Sequence, residues 1–475
     1  MKKLCRQVGL LLLLTVVMIS TVFAAPTSPV INKVRFSQSA ETVRIVFDVD
    51  QLPTYKVTLD EPTGNLTIAM DGALDKTIPA EIMLKDPVVK GIKLSSQVPG
   101  KASITVNLKT AVQYKVFPLK APNRLVLDII KVYDQKIVEE VAPGLKLTTI
   151  MRGQPDGAIS AHILEVDLKA GYALRPILSN DAIVNLETVK SMADRNQAIA
   201  AVNASYFALD GELLGLTKID NQIISTAGLA RTALGIYPDG KLLIGQVNYD
   251  GAALLPDGSK IAFAGVNCER GPNSLVLYNR FYDATTGTNP YGIEAVIVND
   301  VVTAINANNS VIPADGYVLS AHGSAAQKLA NLKVGDRVEV RGTLGPAWDQ
   351  TLHIVGAGPM LIKNNGVYLT TKVEEFGPDV AAGRAPRTAL GITKDGHVLL
   401  AVVDGRQYNS VGFTLLELAL FMQEAGAVQA MNFDGGGSSE MVVNGTILNK
   451  PSDRRERRVG SALAIIPQTA IKLAK

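Results

Sequence analysis

The chain has 475 residues, enough for two or three separate cores, with 47 basic and 44 acidic residues and a formal net charge of +3. Lys2, Lys3 and Arg6 account for the whole excess, since without them 44 basic residues face 44 acidic ones. That balance gives no sign of the basic face on which non-specific nucleic-acid binding depends, so nucleic acid is not an expected partner. Residues 1–24 have the order of a secretory signal: three basic residues, an uncharged run of 15 residues from Gly9 to Phe23, and Val22-Phe23-Ala24 before Ala25. The run is shorter than the roughly 20 apolar residues of a spanning helix, so cleavage after Ala24 and a secreted, periplasmic or envelope location are expected. Cys5 would leave with that segment, and Cys268 then has no partner for an internal disulfide.

From Val34 to about Ile130 the pattern is one of short alternating strands, as in Val43-Arg44-Ile45-Val46-Phe47-Asp48-Val49. Ile45, Tyr55, Lys56, Val57 and Leu66 return at an offset of 59 as Ile104, Tyr114, Lys115, Val116 and Leu125. Two such halves can stack as a sandwich, each burying one face. Together with Pro53-Thr54-Tyr55-Lys56-Val57 and Asn123-Arg124-Leu125-Val126-Leu127-Asp128, this repeat resembles the AMIN domain of bacterial envelope proteins. The resemblance implies that residues 30–131 form an all-β module that targets the envelope or binds cell-wall glycan. Because the module carries no catalytic constellation, its removal is expected to leave turnover of a soluble substrate nearly intact.

After a connection near Ala142-Pro143-Gly144, residues 145–467 mix strands with a few helices. The fold class expected is α+β, a mixed, mainly antiparallel sheet with an inserted β subdomain at about 245–350, preceded by the small all-β sandwich. The clearest helix begins at Thr414, where Thr414 and Glu417 form a capping-box pattern, and stops at Gly426. Its apolar residues Leu415, Leu418, Ala419 and Met422 recur at helical spacing, which marks a core face. Arg231-Thr232-Ala233-Leu234-Gly235-Ile236 returns 156 residues later as Arg387-Thr388-Ala389-Leu390-Gly391-Ile392, and Asp239-Gly240 as Asp395-Gly396. Two such hairpins could be related halves of one sheet, each bringing an arginine to the same rim, or a duplication in which the arginines serve structure.

The densest chemistry lies in Asn432-Phe433-Asp434-Gly435-Gly436-Gly437-Ser438-Ser439-Glu440. Without Cβ atoms, Gly435, Gly436 and Gly437 can turn backbone N–H groups toward an anion, with the hydroxyls of Ser438 and Ser439 beside them and Asp434 as a reacting carboxylate. Arg384, Arg387 and Arg406, the last within Asp404-Gly405-Arg406, supply planar cationic forks suited to phosphate oxygens.

These motifs, with Asn203-Ala204-Ser205-Tyr206-Phe207, Gly356-Ala357-Gly358-Pro359 and Asn449-Lys450-Pro451-Ser452-Asp453 followed by Arg457, stand in the order of the phosphodiester glycosidases. The chain resembles the bacterial branch of that family, related to the uncovering enzyme that removes N-acetylglucosamine from a sugar phosphodiester. Glu440, where threonine is common, and Ser461, where asparagine is usual, depart from the pattern. The resemblance implies an exported hydrolase that cuts sugar-1-phosphodiester linkages in an envelope or extracellular glycan. Cleavage there expels a phosphate monoester whose second pKa is about 6, so positive charge matters more than a general acid. Asp434 and Asp404 are the catalytic candidates, Asp434 nearer the reacting centre and Asp404 orienting; their separation decides between retention and inversion. Asn203 is a candidate for a sugar hydroxyl. The alternative function is a non-catalytic envelope protein that binds or helps assemble anionic polysaccharide. No cofactor is required by these motifs. The four histidines lack metal-ligand spacing, whereas a divalent cation using Asp434 or Glu440 stays open.

Overall fold

The computed structural model describes residues 28–473 apart from residue 227, and the expected signal, residues 1–24, lies outside the described residues. Several mainly antiparallel sheets and six short α-helices make up the described residues, so the α+β class read from the sequence holds.

Period-two alternation builds the first module. Val43, Ile45 and Phe47 are fully buried, whereas Arg44 and Asp48 on the other face pair with Asp128 and Arg35 at 2.7 Å. The two repeats do not stack as separate sheets; they exchange strands. The first repeat sends Thr42–Val49 to one five-stranded sheet and Tyr55–Asp60 and Asn65–Asp71 to the other. The second does the reverse, so Thr42–Val49 pairs with Arg124–Ile130 and Asn65–Asp71 pairs with Lys101–Leu108. Interleaving covers the inner strand edges of both halves and brings Ile45, Ile104, Leu66 and Leu125 into one core. At the exit of this module Lys131 donates to Asp86 at 3.0 Å, with both side chains 3% exposed. The Asp86 carboxylate also accepts from the N–H groups of Val88 and Val89.

The larger body begins at strand Tyr133–Ala142, which pairs with Leu145–Gln154 at one edge of an eight-stranded sheet. Val398–Val403, Arg387–Thr393 and Ala427–Asn432 lie at its centre. A five-stranded sheet containing Tyr172–Leu178, Ser461–Pro467 and Ala200–Asn203 faces it across a core that includes Val202, Leu390, Leu400, Met431, Phe433 and Leu463. Helix Leu415–Glu424 covers the outer face of the first sheet and helix Val189–Arg195 that of the second. The former starts at a complete capping box between Thr414 and Glu417 and buries Leu415, Leu418, Ala419 and Met422. Between Leu242–Val247 and His353–Gly356 the chain forms further β-sheet structure around its own core, with Leu277, Ile297 and Leu319 at its centre.

The duplicated hairpins fall in different sheets rather than in one. Arg231–Ile236 pairs with His353–Gly356, whereas Arg387–Thr393 pairs with Ala427–Asn432. Each acquires its own third strand, so the halves face each other across the shared core instead of pairing edge to edge. Their registers correspond: Ala233 lies opposite Gly356 as Ala389 lies opposite Asn432, and Ala357 N–H donates to Thr232 O as Phe433 N–H donates to Thr388 O.

Removing one member of the buried pair leaves the other charge uncompensated. Lys131→Met is expected to lower unfolding free energy by roughly 3–5 kcal/mol in urea titration. A loss below about 1 kcal/mol would show that Asp86 is satisfied without the lysine.

Candidate active site

Strand register decides which residues meet. Val403 lies opposite Arg387, Asn432 opposite Ala389, and Asn203 opposite Ala462, so Asp404 and Asp434 follow strands that end at one rim. Asn203, 1% exposed, ties the rim together. Its Nδ2 donates to Asp434 O at 2.6 Å, while its Oδ1 accepts from Thr388 Oγ1 at 2.7 Å and from Glu440 N–H at 3.2 Å. The side chain thus holds both ends of the glycine loop.

Within that loop four amides find acceptors in the protein. Gly435 N–H donates to Asp434 Oδ1 at 2.8 Å, Gly436 to Pro386 O at 2.9 Å, Ser438 to Gly435 O at 3.2 Å and Ser439 to Gly436 O at 3.3 Å. The glycines serve close approach. A Cβ on Gly436, whose φ is +61°, would lie 3.4 Å from Arg406 Nη1, and one on Gly437 would collide with Arg457 Nη2. Two guanidinium groups therefore rest against the loop, and a side chain at Gly437 would displace that of Arg457. Arg457 is paired with Asp453 at 2.7 Å. Arg406 is exposed, holds a left-handed φ of +58°, and makes no hydrogen bond or ion pair among the described residues.

Arg384 and Arg387 point elsewhere. Arg384 donates to Gly412 O, Asp156 and Glu417, which fixes the start of helix Leu415–Glu424. Arg387 is 3% exposed and donates to the carbonyls of Phe413, Val380 and Gly383. With no carboxylate paired to it, burial draws its pKa below the ordinary arginine value. The structure thus gathers Asn203, Asp404, Arg406, Asp434 and Gly435–Ser439 at the rim, commits Arg384 to Asp156, Glu417 and the Gly412 carbonyl, and commits Arg387 to backbone carbonyls.

The two aspartates differ in surroundings. Asp434 is half-buried; burial pushes its pKa up to about 6, against the pull of the Gly435 N–H and the Arg457 charge. The Ser438 hydroxyl lies beside it, favouring its charge without completing a hydrogen bond. Asp404 is 2% exposed, and burial pushes it to about 6 although its Oδ1 accepts from Asn449 Nδ2 at 3.2 Å and Lys450 N–H at 3.0 Å. Asn449 also donates to Ser439 O at 2.9 Å, so Asp404 steers the far side of the loop. Asp434 is the carboxylate open to a ligand.

Glu440 and Arg457 also belong to this group. Glu440 is buried, its Oε1 has no hydrogen-bond partner, and burial with the nearby Glu456 charge pushes its pKa to about 7. The hydroxyls of Ser205, Ser438, Ser439 and Ser452 are likewise buried and unpartnered. Arg457 follows the turn over Pro451–Arg454 that the Pro-Ser-Asp cluster signals, but its seat on Gly437 is set by the assembled fold. Among the described residues no group of three or more His, Cys, Asp or Glu side chains is arranged to hold a metal ion.

Residues 291–466 match the model of the phosphodiester glycosidase family. That segment contains the aspartates, the arginines and the glycine loop, whereas Asn203 precedes it. A mouse N-acetylglucosamine-1-phosphodiester alpha-N-acetylglucosaminidase is 36% identical over 103 residues, which cover 20% of this chain and 20% of that protein. An uncharacterized SPbeta prophage-derived protein, YomE of Bacillus subtilis (strain 168), is 42% identical over 81 residues, 17% of this chain and 12% of that one. The chain therefore matches these curated relatives over a fifth of their length or less. A crystal structure of a hypothetical protein from Synechocystis shares the fold, with a TM-score of 0.66 at 21% identity over 92% of this chain and 80% of that one.

Asp404→Asn tests the electrostatic cost of the site. The folded-state pKa of about 6 lies above the ordinary aspartate value of 3.8, so the folded state binds the extra proton and stability falls as pH rises between those values. The asparagine keeps an acceptor for Lys450 N–H and carries no charge. Calorimetry should show a gain of up to about 3 kcal/mol above pH 6 that vanishes below about pH 4. A loss of stability at pH 7 would mean that the ionised form is the one the fold prefers.

Proposed function

We propose that the chain is an exported hydrolase cleaving glycosyl phosphodiesters, with Asp434 as the reacting carboxylate. The observation that carries this reading is a half-buried Asp434 held beside Arg457, with the unpaired Arg406 against Gly436 of the loop that follows, within the segment that matches the phosphodiester glycosidase model. Export rests on the order of residues 1–24, and binding of wall glycan by residues 30–131 rests on the AMIN resemblance.

A phosphodiester bears one negative charge, which Arg406 would take in paired hydrogen bonds and Arg457 would reinforce. Breaking the bond from the anomeric carbon to the phosphate oxygen leaves the electron pair on a phosphate monoester, a leaving group of second pKa about 6 that requires no strong acid. Positive charge develops on the sugar ring, and Asp434 answers it either by attacking the anomeric carbon or by taking a proton from an attacking water. Near neutral pH an aspartate of pKa about 6 is mostly ionised yet basic enough for that transfer. Asp404, facing inward to Asn449 and Lys450, orients the loop.

Purified protein incubated with a synthetic sugar-1-phosphodiester should release free sugar and a phosphate monoester in equal amounts. Absence of release across a panel of sugars, pH values and divalent ions, with phosphate affinity retained, would favour the polysaccharide-binding alternative. The value of kcat/KM should fall about tenfold per pH unit below pH 6, as protonation removes the base. Asp434→Asn should reduce turnover by roughly 10²–10⁴-fold with binding kept. Full turnover in a folded Asp434→Asn protein would eliminate Asp434 from this role. Arg406→Lys, which keeps the charge and loses the fork, should raise KM about tenfold.

A further inference from the structure

We infer that the N-terminal β module is part of the candidate site, acting through Tyr408 as a positioning residue that fixes Arg406. Asp404 through Gly412 form a projecting turn, closed by mutual backbone hydrogen bonds between Gln407 and Ser410 at 3.0 and 3.2 Å, with Tyr408 and Asn409 at its tip. That tip enters the module. Thr110, 2% exposed and lying between strands Lys101–Leu108 and Gln113–Leu119, donates its hydroxyl to Tyr408 O at 2.9 Å and accepts from Ala158 N–H at 3.0 Å. Ala111 N–H donates to the same Tyr408 carbonyl at 2.7 Å. The Tyr408 ring packs on the module core, where a Cβ on Gly64 would lie 3.0 Å from Cε2 and 2.5 Å from Leu108 O. Gly64 has a φ of +67°, so both its conformation and the space above it suit glycine alone.

At its stem the same turn is tied to Asp404 of the rim and to Lys450, which binds Asp404 in turn. Ser410 Oγ donates to Asp404 O at 2.6 Å and accepts from Ser160 N–H at 3.1 Å. Gln407 Nε2 donates to Lys450 O at 2.5 Å, and Lys450 N–H donates to Asp404 Oδ1. Between these anchors stands Arg406, in a left-handed conformation uncommon for a residue with a side chain, with its guanidinium over Gly436. The side chain itself has no partner to hold it, so its direction follows from the backbone of a turn whose tip is gripped from outside the larger body. This runs against the expectation that residues 30–131 can be removed without consequence. The catalytic effect rests on the proposed role of Arg406 in holding phosphate.

The test uses the full chain with Thr110→Val, Tyr408→Ala and Tyr408→Phe, each also combined with Arg406→Ala. Amide exchange followed by mass spectrometry reads the coupling without turnover. Tyr408→Ala should speed exchange at Gln407, Ser410 and Val411 and also in the segments carrying Lys450 and Gly435–Ser439, with strands Thr42–Val49 and Ala427–Asn432 as protected as in wild type. Tyr408→Phe should match wild type, because the Tyr408 hydroxyl has no partner. On a glycosyl phosphodiester, Thr110→Val and Tyr408→Ala should raise KM about fivefold or more with little change in kcat or in the pH profile, and should add nothing once Arg406 is alanine. Effects that multiply with Arg406→Ala, or faster exchange confined to residues 407–411, overturn the inference. If wild type hydrolyses no glycosyl phosphodiester, the exchange comparison still decides the coupling, and what fails is the proposed reaction.

Discussion

One buried amide governs the rim. Asn203 stands at the end of a strand in one sheet, receives a hydrogen bond from Thr388 in the facing sheet, and closes the glycine loop by binding the carbonyl of Asp434 and the N–H of Glu440. A buried polar group with its partners in place is nearly neutral, whereas each group left unpaired costs roughly 1–3 kcal/mol. Loss of the Asn203 side chain would orphan groups at both ends of the loop at once. The five residues between those contacts therefore have little freedom, and the close seats of Arg406 and Arg457 on Gly436 and Gly437 follow from that.

Fixing the loop has an electrostatic consequence. Asp404, Asp434 and Glu440 all have pKa values raised by burial, to about 6, 6 and 7, so the fold holds three carboxyl groups where ionisation is disfavoured. A structure selected for stability alone would have little use for such a cluster, while a site that must keep a base poised near neutrality needs raised carboxylates. Arg457 acts on Asp434 but shares its charge with Asp453, and Arg406 stays unpaired. The most available positive charge is thus the one that faces outward, as electrostatic preorganisation for an incoming anion requires.

Elements that follow from local pattern were legible in the sequence. Alternation in Val43–Val49 gave a strand, Thr414 with Glu417 gave a helix start, and motif order put Asp404, Arg406 and Asp434 together before any register was known. Side-chain direction was not legible. Arg384 and Arg387 look like phosphate ligands because arginine beside a glycine loop has that chemistry, yet their partners are Asp156, Glu417 and carbonyls at Val380, Gly383, Gly412 and Phe413, none fixed until the sheets assemble. The same holds for the glycine amides, whose acceptors include Pro386 O from a different strand approach. Repeats were visible as repeats, but exchange of strands in the module and separation of the two hairpins into different sheets depend on pairing over long sequence distances. Tyr408 carried no signal at all.

The duplication also shows why only one of the two hairpin copies is followed by an aspartate at this place. In corresponding registers Gly358 occupies the place of Asp434, each two residues beyond the position paired with Ala233 or Ala389. Thr232, the counterpart of Thr388, directs its hydroxyl to Glu374 at 2.5 Å where Thr388 binds Asn203. Glu374 is fully buried, and its Oε2 fills the space that a Cβ on Gly358 would enter, at a φ of +85° that already favours glycine. Carbonyl Gly358 O instead accepts from Tyr206 and Asn432 and so braces the Asp434 half. One copy of the hairpin has thus been closed by a buried carboxylate and turned into support, which frees the other to end in an aspartate open to a ligand. The two arginines that head the copies diverge in the same sense: Arg231 stacks at 4.4 Å on Phe376, which packs on Tyr206, while Arg387 turns inward to hold the carbonyls of Phe413, Val380 and Gly383.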